Sequence, residues 1–179
     1  MEKYSEINKF KINSRLDIRN MKNTTLIGNI GEQLACDYLT DKGYRILERN
    51  AKICGAEIDI ICEAYFKADG SIMPVKSKNK FEAFISKFKA DAKCENKDVH
   101  RVVIFCEVKA RTDNRFGSGL EAVTPYKIGR YVTAAKAYMS TIKNVNNDLR
   151  FDVIEVGEGG INHIEGAFWE NEAKYPRKR

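Results

Sequence analysis

The sequence predicts a small α/β domain in the order helix, three strands, helix, closing hairpin. Three observations carry this reading: helical spacing of apolar residues over 26–42, an alternating strand at 57–62 that is followed later by a continuous apolar strand at 101–111, and a second helix announced by Thr124 and Pro125. At 179 residues, one domain with one core is the natural expectation. Apolar residues make up 43% and charged residues 31%, which excludes a disordered chain. No apolar run approaches the roughly 20 residues of a membrane-spanning helix.

Residues 1–25 are rich in Lys, Arg and Asn without a clean period and read as a basic extension. The domain proper is expected over 26–170, with a basic tail at 171–179. In the first helix Ile27, Ile30, Leu34, Ala35, Tyr38 and Leu39 recur at helical spacing, and Gly43 supplies the stop. Glu32 falls at the margin of that apolar stripe, where a carboxylate can reach across the inner surface. A strand at 44–50 and a break at Gly55 lead to EIDIIC at 57–62. A period of two sets Glu57 and Asp59 on one face and Ile58 and Ile60 on the other.

Residues 64–100 interrupt the pattern with Gly70, Pro74 and the cluster Lys76, Lys78, Lys80, Lys87, Lys89 and Lys93, and read as an insertion. RVVIFCEVKAR at 101–111 starts as a strand covered on both faces. It then carries Glu107, Lys109 and Arg111 on one side. Thr124 and Pro125 are an N-cap and first-turn pair opening a helix that turns Ile128, Val132, Ala135 and Met139 to the core. Its other faces show Lys127, Arg130 and Lys136. Strands at 150–156 and 161–164 close the domain around Glu158, Gly159 and Gly160.

Lys and Arg outnumber Asp and Glu by 31 to 25, for a formal charge of +6 and a pI near 9.0. This tilts the partner list mildly toward polyanions. The five cysteines form no CxxC pair and no zinc-finger spacing, so most read as small buried hydrophobes of a reducing compartment. The charged start lacks the apolar stretch of a signal peptide, so a cytoplasmic location and no membrane partner are expected.

Asp59 and Glu107, from adjacent strands, meet the needs of a hard cation such as Mg2+, which takes oxygen ligands and keeps several waters. Lys109, two residues beyond Glu107 on the same face, can offset charge on a phosphate or orient an attacking water. Glu32 would complete the site. Taken alone, an E-x-K triplet reads as a surface ion pair. The order of acid-bearing helix, Asp strand and apolar strand running into Glu-Val-Lys is what raises it to a candidate centre. His100 and His163 read as ordinary surface or strand residues, Cys106 as core, and Asp152 equally as structural or site residue. Phe168 and Trp169 read as cover for the sheet, the commoner use, over base stacking.

GNIGEQLACDYLTDKGYRILERN, GAEIDII, VVIFCEVKARTDNRFGSGLEAVTPYKIGR and RFDVIEV together resemble the YraN-like family of the restriction-endonuclease-like, or PD-(D/E)xK, superfamily, related to Holliday-junction resolvases. The resemblance covers about 28–62 and 101–168. It implies a mixed β-sheet flanked by helices (α-β-β-β-α-β) and a nuclease centre with Asp59 and Glu107 as metal ligands, Lys109 as catalytic lysine and Glu32 as helix acid. Glu57, Arg111, Thr124, Lys127 and Arg130 are the supporting or substrate-contacting candidates. Mg2+ or Mn2+ is the implied cofactor, DNA the implied nucleic-acid partner, and a homodimer the candidate assembly. The long insertion departs from the family's short hairpin and leaves substrate preference open.

The leading expectation is therefore a metal-dependent endonuclease acting on DNA, including branched or structured DNA. A non-catalytic nucleic-acid-binding module with the same fold, and a protein-interaction module working through the basic insertion, are the alternatives.

Overall fold

A computed structural model of the chain describes residues 23–73, 99–110, 123–142, 148–157 and 159–172. The Lys-rich part of the insertion, Arg111, most of the basic extension and the C-terminal tail lie outside the described residues.

Helix α1 spans Thr24–Asp41. It starts two residues before the apolar period does, because the Asn23 side chain accepts from the backbone N–H groups of Thr25 and Leu26 at 3.1 and 3.2 Å. Its end is a Schellman closure: Tyr44 N–H reaches Leu39 O and Gly43 N–H reaches Thr40 O, with Gly43 at φ +95°.

Strand β1 (Arg45–Ile53) and strand β2 (Ala56–Lys67) form a hairpin through Cys54 and Gly55, both at positive φ (49° and 77°), the backbone that a two-residue turn of primed type requires. Strand β3 covers Val99–Ala110, helix α2 Pro125–Thr141, β4 Asp148–Gly157 and β5 Gly160–Ile164, followed by one 3-10 turn at Glu170–Glu172. The β2 and β3 strands run further into the 64–100 segment than the hydrophobic alternation reaches, their ladder extending to Lys67 opposite Val99.

The sheet order is β1-β2-β3-β4-β5, with β3 and β4 parallel and every other pair antiparallel. The expected mixed sheet flanked by helices is what forms, with the closing segment as two strands. Parallel β3 and β4 are joined through α2, as a parallel pair needs a crossover. The core has two layers. On one face Ala35, Leu39 and Tyr38 of α1 pack on Ile60, Cys62, Ile104, Cys106 and Ile154. On the other, Ile128, Tyr131, Val132 and Ala135 of α2 pack on Ile58, Ile61, Val103, Phe105 and Val153.

Alternation in β2 slips at one point, which corrects the expected facing. Ile58 belongs to the α2 layer and Ile60 to the α1 layer, so they do not share a face. The partner strand keeps its register across this point, Arg49 pairing with Ile60 and Ala51 with Ile58, and the residue between, Asn50, has φ +50°; the register shift of the pair lies further along, between Ile46 and Glu48. Asn tolerates this left-handed backbone better than other side chains with a Cβ. The kink lies opposite Asp59, where the β2–β3 ladder ends at Ile60–Cys106.

Helix α1 meets the end of β3 without a cushion. A Cβ on Gly31 would stand 2.6 Å from Ala110 Cβ, closer than packed side chains allow. Gly31→Ala is therefore expected to lower stability by about 1–3 kcal/mol in urea denaturation through overpacking, and Ala110→Gly in the same chain is expected to recover a measurable part of that loss. A Gly31→Ala variant as stable as the wild type would show that α1 shifts freely.

Candidate active site

The site lies where β2 parts from β3. Beyond Ile60 the backbone ladder stops, and Asp59 Oδ2 accepts the N–H of Val108 at 2.7 Å in its place. One carboxylate oxygen thus stands in for a strand carbonyl, which fixes Asp59 beside the end of β3.

Glu107 projects from β3 toward α2, in phase with core residues Val103 and Phe105. It is 2% exposed. Its Oε1 takes the ammonium groups of both Lys109 and Lys127, and its Oε2 accepts from the Tyr131 hydroxyl. Lys127 and Tyr131 are four apart on α2 and so share a helix face. Thr124 sets their rotation, its hydroxyl accepting from Lys127 N–H at 3.2 Å with Pro125 in the first turn. Of the sequence candidates, Asp59, Glu107, Lys109 and Lys127 come together. Lys127 does not point away from the core but bends onto Glu107.

Glu32 is half-buried on α1, in the opposite layer, and reaches Asp59 as a like charge felt at a distance. Glu57 is exposed, Arg130 is exposed beside the Gly55 turn, and Thr124 acts through its cap. Arg111 falls outside the described residues. Tyr131 was not among the residues that the sequence singled out. The signal for it was its spacing of four from Lys127, but a Tyr at that position reads equally as core.

The two carboxylates differ in electrostatics. Burial, then the negative charge of Glu107, push Asp59 up from 3.8 to about 6, against the pull of Val108 N–H and Lys127. For Glu107 burial also pushes upward, but hydrogen bonds from Lys109, Lys127 and Tyr131 outweigh it and hold its carboxyl below the ordinary range. Burial and the neighbouring carboxylates push the Tyr131 phenol far up, so it remains a donor.

Two neighbouring carboxylates, one of them poorly compensated, are a donor set that suits a hard divalent cation completing its shell with water. Among the described residues no three of His, Cys, Asp and Glu gather tightly enough to hold an ion by themselves. Asp59 and Glu107 are the pair that would hold one, with the ammonium groups leaving Oε1.

Other charged residues have different duties. His163 is not a surface residue: its side chain is 5% exposed, and its Nε2 lies 2.8 Å from Asp152 Oδ2. Arg150 and the Gly166 N–H occupy the rest of Asp152, in the α1 layer away from Glu107. Asp152 is thus structural. Cys106 is fully buried in that layer, as expected. Phe168 covers the sheet, stacked on Phe151 at 4.9 Å, whereas Trp169 is 62% exposed and lines a shallow hollow with Val132, Leu149 and Phe151. No helix among the described residues is long and apolar enough to cross a membrane.

Comparison with known proteins gives one consistent result. The profile of uncharacterised protein family UPF0102 matches residues 31–156. A UPF0102 protein of Syntrophomonas wolfei is 35% identical over 146 residues, 79% of this chain and 96% of the relative. Similar proteins occur in Chlorobium chlorochromatii (35% identical, covering 82% of this chain and 93% of the relative) and Clostridium perfringens (33%, covering 80% and 86%).

The Asp59 charge has a consequence for stability. Because its folded-state value lies above the unfolded one, the folded protein gains a proton between about pH 4 and 6, and stability falls as pH rises through that window. Asp59→Asn keeps an acceptor for Val108 N–H and removes the charge. In chelator-treated protein it is expected to match wild type near pH 4 and to exceed it by about 1–3 kcal/mol at pH 7. Urea denaturation at each pH checks this; a gap that does not grow with pH would refute the assignment.

Proposed function

The chain belongs to uncharacterised protein family UPF0102, and from that premise we propose that it is a nuclease hydrolysing phosphodiester bonds in DNA, branched or otherwise structured DNA included, with Mg2+ or Mn2+ held by Asp59 and Glu107. The observation that carries this reading is the juxtaposition of two carboxylates from neighbouring strands with two lysines on one of them. The arrangement brings acids for a cation and ammonium groups for a phosphate to one strand end.

When bound, the cation supplies polarisation of a phosphoryl oxygen and acidification of a water. The rest is the work of the chain. Val108 N–H orients Asp59, and the Tyr131 hydroxyl orients Glu107, so neither carboxylate must be ordered at the moment of reaction. Lys109, 28% exposed in its side chain, can reach a phosphate oxygen and neutralise the charge that builds there. Lys127 on the first turn of α2 provides a second positive charge on the same side. Exposed Arg130 and the net charge of +6 favour contacts to flanking phosphates, whose strength falls with salt.

The test is a cleavage screen of the purified full chain on single-stranded, duplex, flapped and four-way DNA with Mg2+ or Mn2+. Cutting of at least one substrate is expected, with Asp59→Ala and Lys109→Ala each slower by about 100-fold or more. Absence of product on every substrate with both metals would overturn the proposal. Salt-sensitive binding that survives Glu107→Ala, without cutting, would identify a binding module in its place.

A further inference from the structure

Four acidic residues are buried in the described fold: Glu63, Glu107, Asp152 and Glu155. Three have both oxygens occupied. Glu63 receives Arg45 on Oε1 and Arg101 on Oε2. Glu107 receives the two lysines and Tyr131. Asp152 receives Arg150, His163 and Gly166 N–H.

Glu155 differs. It is 1% exposed, and its Oε2 accepts from Asn162 Nδ2 at 2.8 Å. Its Oε1 is buried without a hydrogen-bond partner among the described residues. An unfilled acceptor on a buried carboxylate is costly and calls for a donor.

The sheet register sets a mobile donor beside it. In the parallel β3–β4 ladder Glu155 pairs with Lys109. Val153, two residues earlier on β4, packs in the α2 layer, so Glu155 shares the face of Glu107 and Lys109. Paired strands lie roughly 4.8 Å apart, within the span of a lysine side chain. Lys109 now shares Glu107 Oε1 with Lys127, two ammonium groups on one oxygen. A cation bound by Glu107 would repel both.

We propose that Glu155 is the positioning residue of Lys109: its unfilled oxygen receives the Lys109 ammonium when Glu107 turns to a divalent cation. The inference rests on the metal-dependent reading given above. In this arrangement the lysine moves one strand sideways instead of swinging into solvent, so it stays beside the two carboxylates of the site. Asn162 holds the other oxygen and keeps the carboxylate aimed.

Mg2+ and Mn2+ binding to the full chain, measured by calorimetry, tests this without any turnover. Glu155→Gln is expected to weaken Mg2+ about tenfold, in the range of residues that act behind a metal ligand, with no loss of melting temperature. In a Lys109→Met background the same substitution is expected to have no effect on Mg2+. Wild-type affinity in Glu155→Gln, or an equal weakening with and without Lys109, would overturn the inference. Asp59→Asn separates the two claims. If it too binds Mg2+ like wild type, the metal reading itself fails; if it loses binding while Glu155→Gln keeps it, only the role of Glu155 falls. Should Glu155→Gln not fold, NMR of the wild-type Lys109 ammonium decides the matter. Its contact is expected to pass from the Glu107 carboxyl to the Glu155 carboxyl on adding Mg2+, and a contact unchanged by Mg2+ would refute the proposal.

Discussion

The bond from Val108 N–H to Asp59 is the constraint on which the rest of the site depends. Two antiparallel strands that pair along their whole length leave no room between them for a functional group. Here the pairing ends at Ile60 and Cys106, and a side-chain carboxylate takes the next backbone donor. The strands can therefore diverge without leaving a buried N–H unsatisfied. The left-handed Asn50 on the outer strand lets β1 follow the same change of direction. Glu107, on the strand that stays paired with β4, then finds itself beside Asp59, with α2 covering it from one side.

The fold buries its acids in two distinct ways. Glu63 lies between Arg45 and Arg101, and Asp152 is gripped by Arg150 with His163 behind it. Guanidinium groups bind carboxylates in a fixed planar fork and give them up reluctantly. Around Glu107 the cations are lysines, compact charges on flexible stems, together with one phenol. A carboxylate clamped by arginines is suited to holding a sheet together. One attended by lysines is suited to exchanging its partner.

Much of this was legible in the sequence because periodicity and caps are local. The helical spacing through Ile27 and Leu39, the Gly43 stop and the Thr124-Pro125 start each report on a few neighbouring residues, and each was found in the fold. The continuous apolar run ending in Glu-Val-Lys marked the covered strand for the same reason. What escaped depended on non-local register. The slip at Asp59 is invisible in β2 alone, because it is set by where β3 stops pairing and by the backbone of Asn50. His163 reads as a strand residue until β5 is laid beside β4, which brings it to Asp152. Tyr131 carries the same apolar signature as any core aromatic, and only the position of β3 under α2 reveals its hydroxyl as a donor to Glu107.

The bare contact between Gly31 and Ala110 ties the packing of the first helix to the strand that carries the site. Ala110 follows Lys109 directly, so the seat of the first helix and the strand end that carries the lysine are fixed by one close approach. Bulk gained at position 31 has to be surrendered at Ala110, whereas bulk gained at Ala110 finds nothing left to remove from Gly31. A side chain added to the helix at that point would press first on the residue next to the lysine, so a change made far from the carboxylates would be felt at the strand end that carries them.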